Sequence, residues 1–303
     1  MRVAVLIPCY NEALTIAEVV RSFRAELPDA RIYVFDNNST DATPTVALEA
    51  GAIVMSERRQ GKGYVVQTMF RKVDAEIYVM VDGDGTYPAS SVHRLVDLIV
   101  NGEADMVVGS RLHPDSRSNF KAANLYGNKL IRWLLRLIFS VKLTDILSGY
   151  RAFNRSFVKG IPLFGGGFEV ETELTIKALQ RGYRVEEVPV NLEVRPKGSY
   201  SKIHFVRDGF LILNTMLSLF RDTKPLTFFG GLGLVFLAIG ITIFFTSIQL
   251  LGVTLSVIGV LFIFSGLHLH TIVRRFQEFD HQLRILKSEY QAGQRIEKVD
   301  REL

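Results

Sequence analysis

From Pro225 to Val273 the chain runs for 49 residues without one Asp, Glu, Lys or Arg. No other feature limits its fold as sharply. A single helix of that length would reach roughly 73 Å, more than twice a hydrocarbon core of about 30 Å. Two spans joined by a turn fit that core, and "SIQLLGVT" (247–254) marks the turn. A helical pair buried in a soluble core is the rival reading, and the length of the run weighs against it. Arg221 and Lys224 precede the run, and Arg274 and Arg275 follow it. An even number of spans returns the chain to the side it left, and Lys/Arg flanks favour the cytoplasmic side. This predicts a cytoplasmic domain over 1–202, an interfacial juxtamembrane helix over 203–224, two transmembrane helices over 225–273 and a cytoplasmic charged tail over 274–303. In that tail "RRFQEFDHQLRILKSEY" extends the second helix, and residues 291–303 are expected to fray.

The N-terminus, "MRVAVLIPCYNE", is not a signal peptide, because its apolar stretch is short and runs into Asn11 and Glu12. The single cysteine, Cys9, excludes an intrachain disulfide and fits a reducing compartment. A formal net charge of +5 suits an anionic membrane surface or phosphate-bearing substrates. No basic-aromatic module points to nucleic acid.

The first 110 residues alternate apolar runs with helical patterns. "VAVLIP" (3–8), "RIYVFD" (31–36), "AIVM" (52–55), "IYVMVD" (77–82) and "DMVVG" (105–109) read as buried strands. Helical spacing covers 14–27, 42–50, 64–73 and 90–100, with Thr40 or Asp41 and Ser90 or Ser91 as starts. Such alternation predicts an α/β fold with a mostly parallel central sheet. Ligands of such sheets sit at the carboxyl ends of the strands, where Pro8–Glu12, Asp36–Asp41 and Asp82–Pro88 fall. After residue 110, "NLYGNKLIRWLLRLIFSVKL" (124–143) combines apolar and basic faces, as an interfacial helix or a core helix with a solvated basic face would. "HFVRDGFLILNTMLSLF" (204–220) is a second interfacial helix by the same reasoning.

Asp82 and Asp84 alternate with glycines at a strand end, so both carboxylates can converge on one ligand. Two carboxylates that close repel unless protonated or bridged by a cation, and hard oxygen donors favour Mg²⁺ or Mn²⁺. The alternative is a turn whose Asp residues are satisfied by backbone amides. A calcium loop is excluded, because Tyr87 and His93 stand where that loop needs Gly and Glu. "IPCYNEA" after the first strand is no dinucleotide fingerprint, and "QGKGY" (60–64) lacks P-loop spacing. Lys62 between its glycines reads equally as a diphosphate contact or as a plain loop lysine. "DNNSTDAT" (36–43) either reads a base or ribose or caps the next helix.

In order, "IPCYNEALTI", "DNNSTDAT", "QGKG", "VDGDGTYP", "VVGSR", "DILSGYRAF" and "FEVETEL" resemble the family-2 glycosyltransferases of GT-A fold. Within them the chain is most similar to the dolichyl- or polyprenyl-phosphate glycosyltransferases, the group that includes dolichol-phosphate mannose synthase, in its two-span form. The resemblance covers roughly residues 1–210. It implies inverting, metal-dependent transfer of one sugar from a nucleotide-diphospho-sugar, a UDP-sugar or GDP-mannose, to polyprenyl (undecaprenyl or dolichyl) phosphate at the cytoplasmic face of the cell membrane. Carried over by position, Pro8, Tyr10, Asn11, Glu12, Asp36, Lys62 and Asp82 bind the nucleotide. Asp82 and Asp84 hold Mg²⁺ or Mn²⁺. Arg111 contacts the acceptor phosphate, with Asp82, Asp84 and Arg111 as the catalytic set. A second acceptor-binding cation follows the "GSR" segment, Lys121 or Arg117, and Arg195 and Lys202 act as clamps. The resemblance also implies a homo-oligomer, with a tetramer among the options. Many members carry Gln two residues after the second Asp; this chain has Thr86, which leaves the metal's third protein ligand open.

The residues suit that chemistry. An acceptor phosphate, with a second pKa of about 6, is mostly ionised at neutral pH and needs no general base. A hydroxyl acceptor on a glycolipid or polysaccharide would need one, for which Glu169 and Glu171 are the candidates. Both are equally readable as helix-start carboxylates. A non-catalytic membrane scaffold with this fold is the remaining alternative. "RPKGSYSK" (195–202) reads as a loop able to close over an acceptor, or as a linker.

Overall fold

The computed structural model describes residues 2–112, Trp133, Arg136 and Ile138, and residues 143–302 except 197, 199, 201, 203 and 204. Arg117, Lys121 and nearly all of 124–143 lie outside the described residues. The chain divides into two units, Met1–Met216 and Leu217–Leu303.

The first unit is built on the apolar runs. Strands β1 (Val3–Cys9), β2 (Arg31–Asp36), β3 (Ile53–Ser56), β4 (Ile77–Met80) and β5 (Met106–Ser110) form where the sequence places them. Two more, β6 (Arg151–Asn154) and β7 (Val185–Pro189), complete a seven-stranded sheet of order β3-β2-β1-β4-β6-β5-β7. β6 runs antiparallel to both β4 and β5, and the other pairings are parallel. The sheet is therefore mostly parallel, with one reversed strand driven between β4 and β5.

Alternation along β1 splits the core between two faces, since neighbouring strand side chains point oppositely. Val5, Ile7 and Cys9 face α1 (Ile16–Glu26), α2 (Thr43–Glu49) and α4 (Val92–Val100). Ala4 and Leu6 face α3 (Lys62–Lys72), α5 (Arg155–Gly160) and α6 (Val170–Gln180). Helices on both faces leave the carboxyl edges of the strands as the open rim.

Just past β3, Glu57 ties its segment to α3. Its carboxylate accepts from Arg59 N at 2.8 Å, from Arg59 Nη2 at 2.9 Å and from the Thr68 hydroxyl. The Arg59 hydrogen bonds lower its pKa from 4.5 to about 2. A carboxylate depressed on folding stabilises fully above its unfolded value, and that stabilisation is lost as pH falls through the folded one. Comparing thermal unfolding of the wild type and Glu57→Gln should thus show a gap that is widest above pH 4.5 and closes toward about pH 2.

In the second unit, α8 (Pro225–Phe244) and α9 (Gln249–Glu302) form a hairpin. Both contain stretches long and apolar enough to cross a membrane, Pro225–Phe244 and Gln249–Leu283, with mean hydropathies of 2.2 and 2.4. Only 17% of either stretch is buried, so neither is the core helix of a soluble protein. Glycines set the packing: a Cβ on Gly233 would lie 2.5 Å from Gly259 O, and one on Gly240 would lie 2.7 Å from Gly252 O. Small residues at a helix interface allow this close backbone approach.

The turn falls at 245–248, earlier than the expected 247–254. The Thr246 hydroxyl donates to Ile243 O at 2.6 Å and accepts from Ile248 N at 3.3 Å, closing the chain back before Gln249. α9 extends through the expected tail to Glu302. Between the strands and the hairpin, α7 (Phe205–Thr223) covers most of the stretch expected as a juxtamembrane helix. It buries Asp208, Ile212 and Met216 and exposes Phe210 and Leu217.

Candidate active site

Three strand ends build the rim. After β1 come Tyr10, Asn11 and Glu12; after β2, Asn37 and Asn38; after β4, Asp82, Gly83 and Asp84. The first two segments are knitted together. Asn37 N donates to Cys9 O at 2.9 Å, Asn11 N to Ser39 Oγ at 2.9 Å, Thr40 N to Asn11 Oδ1 at 2.7 Å, and Glu12 N to Thr43 Oγ1 at 2.8 Å. Asn11 and Asn38 take left-handed φ of 54° and 60°, a conformation that Asn tolerates better than most residues. "DNNSTDAT" therefore shapes the rim as well as starting a helix. Asp36 is buried and accepts long bonds from Ser39 N at 3.3 and 3.4 Å. Pro8 is buried inside β1, whereas Tyr10 is exposed.

Lys62 is not a loop lysine. It opens α3, and its ammonium lies 2.5 Å from Asp82 Oδ1 and 2.6 Å from Glu171 Oε1. Burial opposes its charge, but the two carboxylates outweigh that cost and hold its pKa well above the ordinary value. The flanking glycines have a steric reason. Gly63 N donates to Gly166 O at 3.1 Å, and a Cβ on Gly63 would stand 2.2 Å from Gly165 O. "GKG" and the "GGG" loop (165–167) touch backbone to backbone.

The carboxylates of "FEVETEL" are engaged structurally. Glu171 takes Lys62. Glu173 accepts from Phe164 N at 3.0 Å and Gly165 N at 2.8 Å, and Glu169 accepts from Gly167 N at 2.8 Å. Of the two base candidates of the hydroxyl-acceptor reading, Glu171 thus anchors a lysine, while Glu169 meets a loop amide through Oε1 and keeps a buried Oε2 with no hydrogen-bond partner.

Asp84 Oδ1 accepts from Thr86 N at 3.1 Å and Thr86 Oγ1 at 2.6 Å, while Oδ2 meets the Arg195 guanidinium. Thr86 therefore orients Asp84. Asp82 packs on Gly149, where a Cβ would fall 2.5 Å from Oδ2. Lys202 reaches Asn11 O at 2.9 Å and Glu12 Oε1 at 2.5 Å. Burial raises the Glu12 pKa, and Lys202 works against that rise. Two cations of "RPKGSYSK" thus fold back onto the strand ends, Arg195 on Asp84 and Lys202 on Glu12.

Arg111 follows β5 and is gripped by Asp145, with Nε 2.6 Å from Oδ2 and Nη2 2.9 Å from Oδ1. Burial opposes its charge too, and Asp145 more than compensates. The Asp145 carboxylate is held low by Arg111 in spite of burial. Around it, Glu187 accepts from Thr144 N at 2.8 Å and Asp145 N at 2.9 Å. Fully buried Arg151 donates to Ile146 O at 2.6 Å, Ser148 O at 2.9 Å and Thr175 Oγ1 at 2.9 Å, with its pKa pulled down to about 10 by burial.

Asp145, Glu187 and Arg151 carry no role in the sequence reading. Two lie in "DILSGYRAF", but partners 34 residues apart have no spacing signature. Asp145→Asn is expected to slacken Arg111: the acceptor KM should rise about tenfold or more with a smaller change in kcat, since a charge-assisted pair is worth about 1.5–3 kcal/mol. An unchanged acceptor KM in steady-state transfer kinetics would detach Asp145 from the site.

Strand-end carboxylates on a mostly parallel, helix-covered sheet define a GT-A-like nucleotide-sugar transferase fold. Residues 4–161 match the model of glycosyl transferase family 2. The chain belongs to that family and is a glycosyltransferase. It is 35% identical over 240 residues to glycosyltransferase AglJ of Haloferax volcanii, covering 79% of this chain and 78% of that one. It is 29% identical over 217 residues to the undecaprenyl-phosphate mannosyltransferase of Micrococcus luteus, covering 65% and 86%. Among solved structures it resembles glucosyl-3-phosphoglycerate synthase from Mycobacterium tuberculosis with Mn²⁺, UDP-glucose and phosphoglyceric acid. That likeness has a TM-score of 0.62 at 24% identity over 72% of this chain and 79% of the other, and it speaks for the fold.

Proposed function

We propose that this enzyme moves one sugar from a nucleotide-diphospho-sugar to polyprenyl phosphate at the cytoplasmic face of a membrane, with inversion at the anomeric carbon. The observation that carries the reading is the gathering of Lys62, Arg195 and Lys202 around the strand-end carboxylates Glu12, Asp82 and Asp84. Such a rim suits anionic substrates that arrive with a cation. The M. luteus relative, named for transfer to undecaprenyl phosphate, and the two apolar helices support the acceptor and the membrane.

Asp82 and Asp84 fit Mg²⁺ or Mn²⁺. No cluster of three or more His, Cys, Asp or Glu placed for a metal occurs among the described residues. Mg²⁺ is commonly held by one or two carboxylates with substrate phosphates and water completing the shell. A divalent cation there would offset the charge that builds on the departing nucleoside diphosphate. In the reaction, a phosphate oxygen of the acceptor forms a bond to C1 of the sugar. The C1–oxygen bond to the diphosphate breaks, and its electron pair leaves with the nucleoside diphosphate. One displacement inverts C1.

Arg111, oriented by Asp145, and Arg195, once off Asp84, hold phosphate oxygens of the substrates, and Lys121, outside the described residues, shares that role. Pro8, Tyr10, Asn11, Glu12 and Asp36 line the nucleoside pocket, and UDP is favoured over GDP. The two spans tether the chain to the bilayer that holds the acceptor lipid. The hydroxyl-acceptor alternative needs a base; Lys62 already occupies Glu171, which leaves Glu169 as its candidate.

Purified full-length chain in lipid vesicles, given radiolabelled UDP- and GDP-sugars with Mg²⁺ or Mn²⁺ and polyprenyl phosphate, should place label in a lipid that mild acid releases. No lipid-linked label with any donor would overturn the proposal.

A further inference from the structure

Past Arg275, α9 continues without its hairpin partner. Pro225, where α8 begins, lies against Gly266, and α9 runs on to Glu302. On this extension Phe276, Phe279, Leu283 and Leu286 are 70%, 58%, 48% and 60% exposed. They are spaced three, four and three residues apart. Leu269 and Ile272 continue the spacing backward and Tyr290 forward, making seven successive apolar or aromatic positions. A three-four repeat keeps one seam along a helix that supercoils with a partner.

We propose that this seam docks a second copy of the same chain, forming a parallel, in-register coiled coil that emerges from the membrane. The inference rests on the two-span membrane reading, which supplies the orientation. Copies anchored in one bilayer by the same hairpin leave it on the same side and in the same direction, so their extensions run parallel. Identical heptads then meet in register, with Phe276 and Leu283 in one core layer type and Phe279 and Leu286 in the other.

The flanking charges match that pairing. Arg275, which meets Glu278 on its own helix at 3.2 Å, immediately precedes a core position, and Asp280 immediately follows one, five residues on. In a parallel pair, those two positions face each other across the seam. Within one helix they lie about 140° apart, so they are not each other's partners there. Lipid covers only the near end of the seam, Phe276 and Phe279: along a helix Leu286 and Tyr290 lie roughly 16 and 22 Å beyond Arg275, past a headgroup layer of about 5–8 Å. Confinement to a membrane raises the effective concentration of the copies, which lets a short coil suffice.

Disulfide trapping in purified proteoliposomes tests this with no other protein present. The full chain would carry one added cysteine per variant: Leu283→Cys or Leu286→Cys on the seam, and His281→Cys or Ser288→Cys on the opposite face. Native Cys9 is buried and common to all four. Mild oxidation should give a reducible dimer at 283 and 286, and none above background at 281 and 288. Asp280→Arg should reduce trapping in the Leu283→Cys background, and adding Arg275→Asp should restore it. Equal trapping on both faces, or none on the seam, overturns the coil. Membrane retention after alkaline washing and sugar transfer are read on the same samples. Retention and transfer without seam trapping sink the coil alone. Wash-off of the unaltered chain sinks the two-span reading and the coil with it.

Discussion

Asp84→Asn is expected to lower kcat/KM for sugar transfer roughly 10³-fold while the variant melts like the wild type. The substitution is nearly isosteric. Its amide oxygen still accepts from Thr86 N and Thr86 Oγ1, so the turn after β4 is kept. What disappears is one of the two negative charges that would hold a divalent cation, together with the partner of Arg195. Mn²⁺ affinity should fall in parallel, measured by calorimetry on the intact protein. A variant with near-normal, metal-dependent turnover would remove Asp84 from the mechanism.

The second large effect is on stability. Lys62→Met leaves Asp82 and Glu171 facing each other without the ammonium between them. Removing one member of a buried ion pair costs about 3–5 kcal/mol, because the survivor stays desolvated and uncompensated. Glu171 is 4% exposed and has little recourse to water, whereas Asp82, at 27%, recovers part of its solvation. The single variant should therefore lose about 3 kcal/mol in denaturant unfolding and lose transfer as well. Adding Glu171→Gln removes the stranded charge and should return most of the stability without returning activity, since Lys62 is also placed at the donor rim. If Lys62→Met unfolded at the wild-type midpoint, the triad would be incidental to the fold.

The first five strands were legible because each is a continuous apolar run ended by turn residues. β6 and β7 were not: "RAFN" is four residues long and "VEEVP" carries two glutamates on an edge strand. Helix starts shifted by up to two residues because several lack the side-chain cap that marks them in sequence, Thr15 and Ser91 among them. The charged site residues could be picked out individually, since strand-end carboxylates and glycine-flanked lysines stand out. Their pairings could not. Arg195 finds Asp84 across 111 residues and Lys202 finds Glu12 across 190, distances that the topology closes and no spacing rule anticipates. The same holds for Glu171, whose place at a helix start leaves open whether it accepts a proton or anchors Lys62.

The central claim is that the rim is built for a phosphate acceptor, which needs no proton removed. The direct measurement offers the purified chain, in vesicles with donor and divalent cation, equal amounts of polyprenyl phosphate and the matching polyprenol. Label is expected on the phosphate alone, abolished by chelating the metal, with a rate that levels off above about pH 6 as the acceptor ionises. Transfer to the polyprenol hydroxyl, or transfer that survives removal of divalent cations, would contradict it.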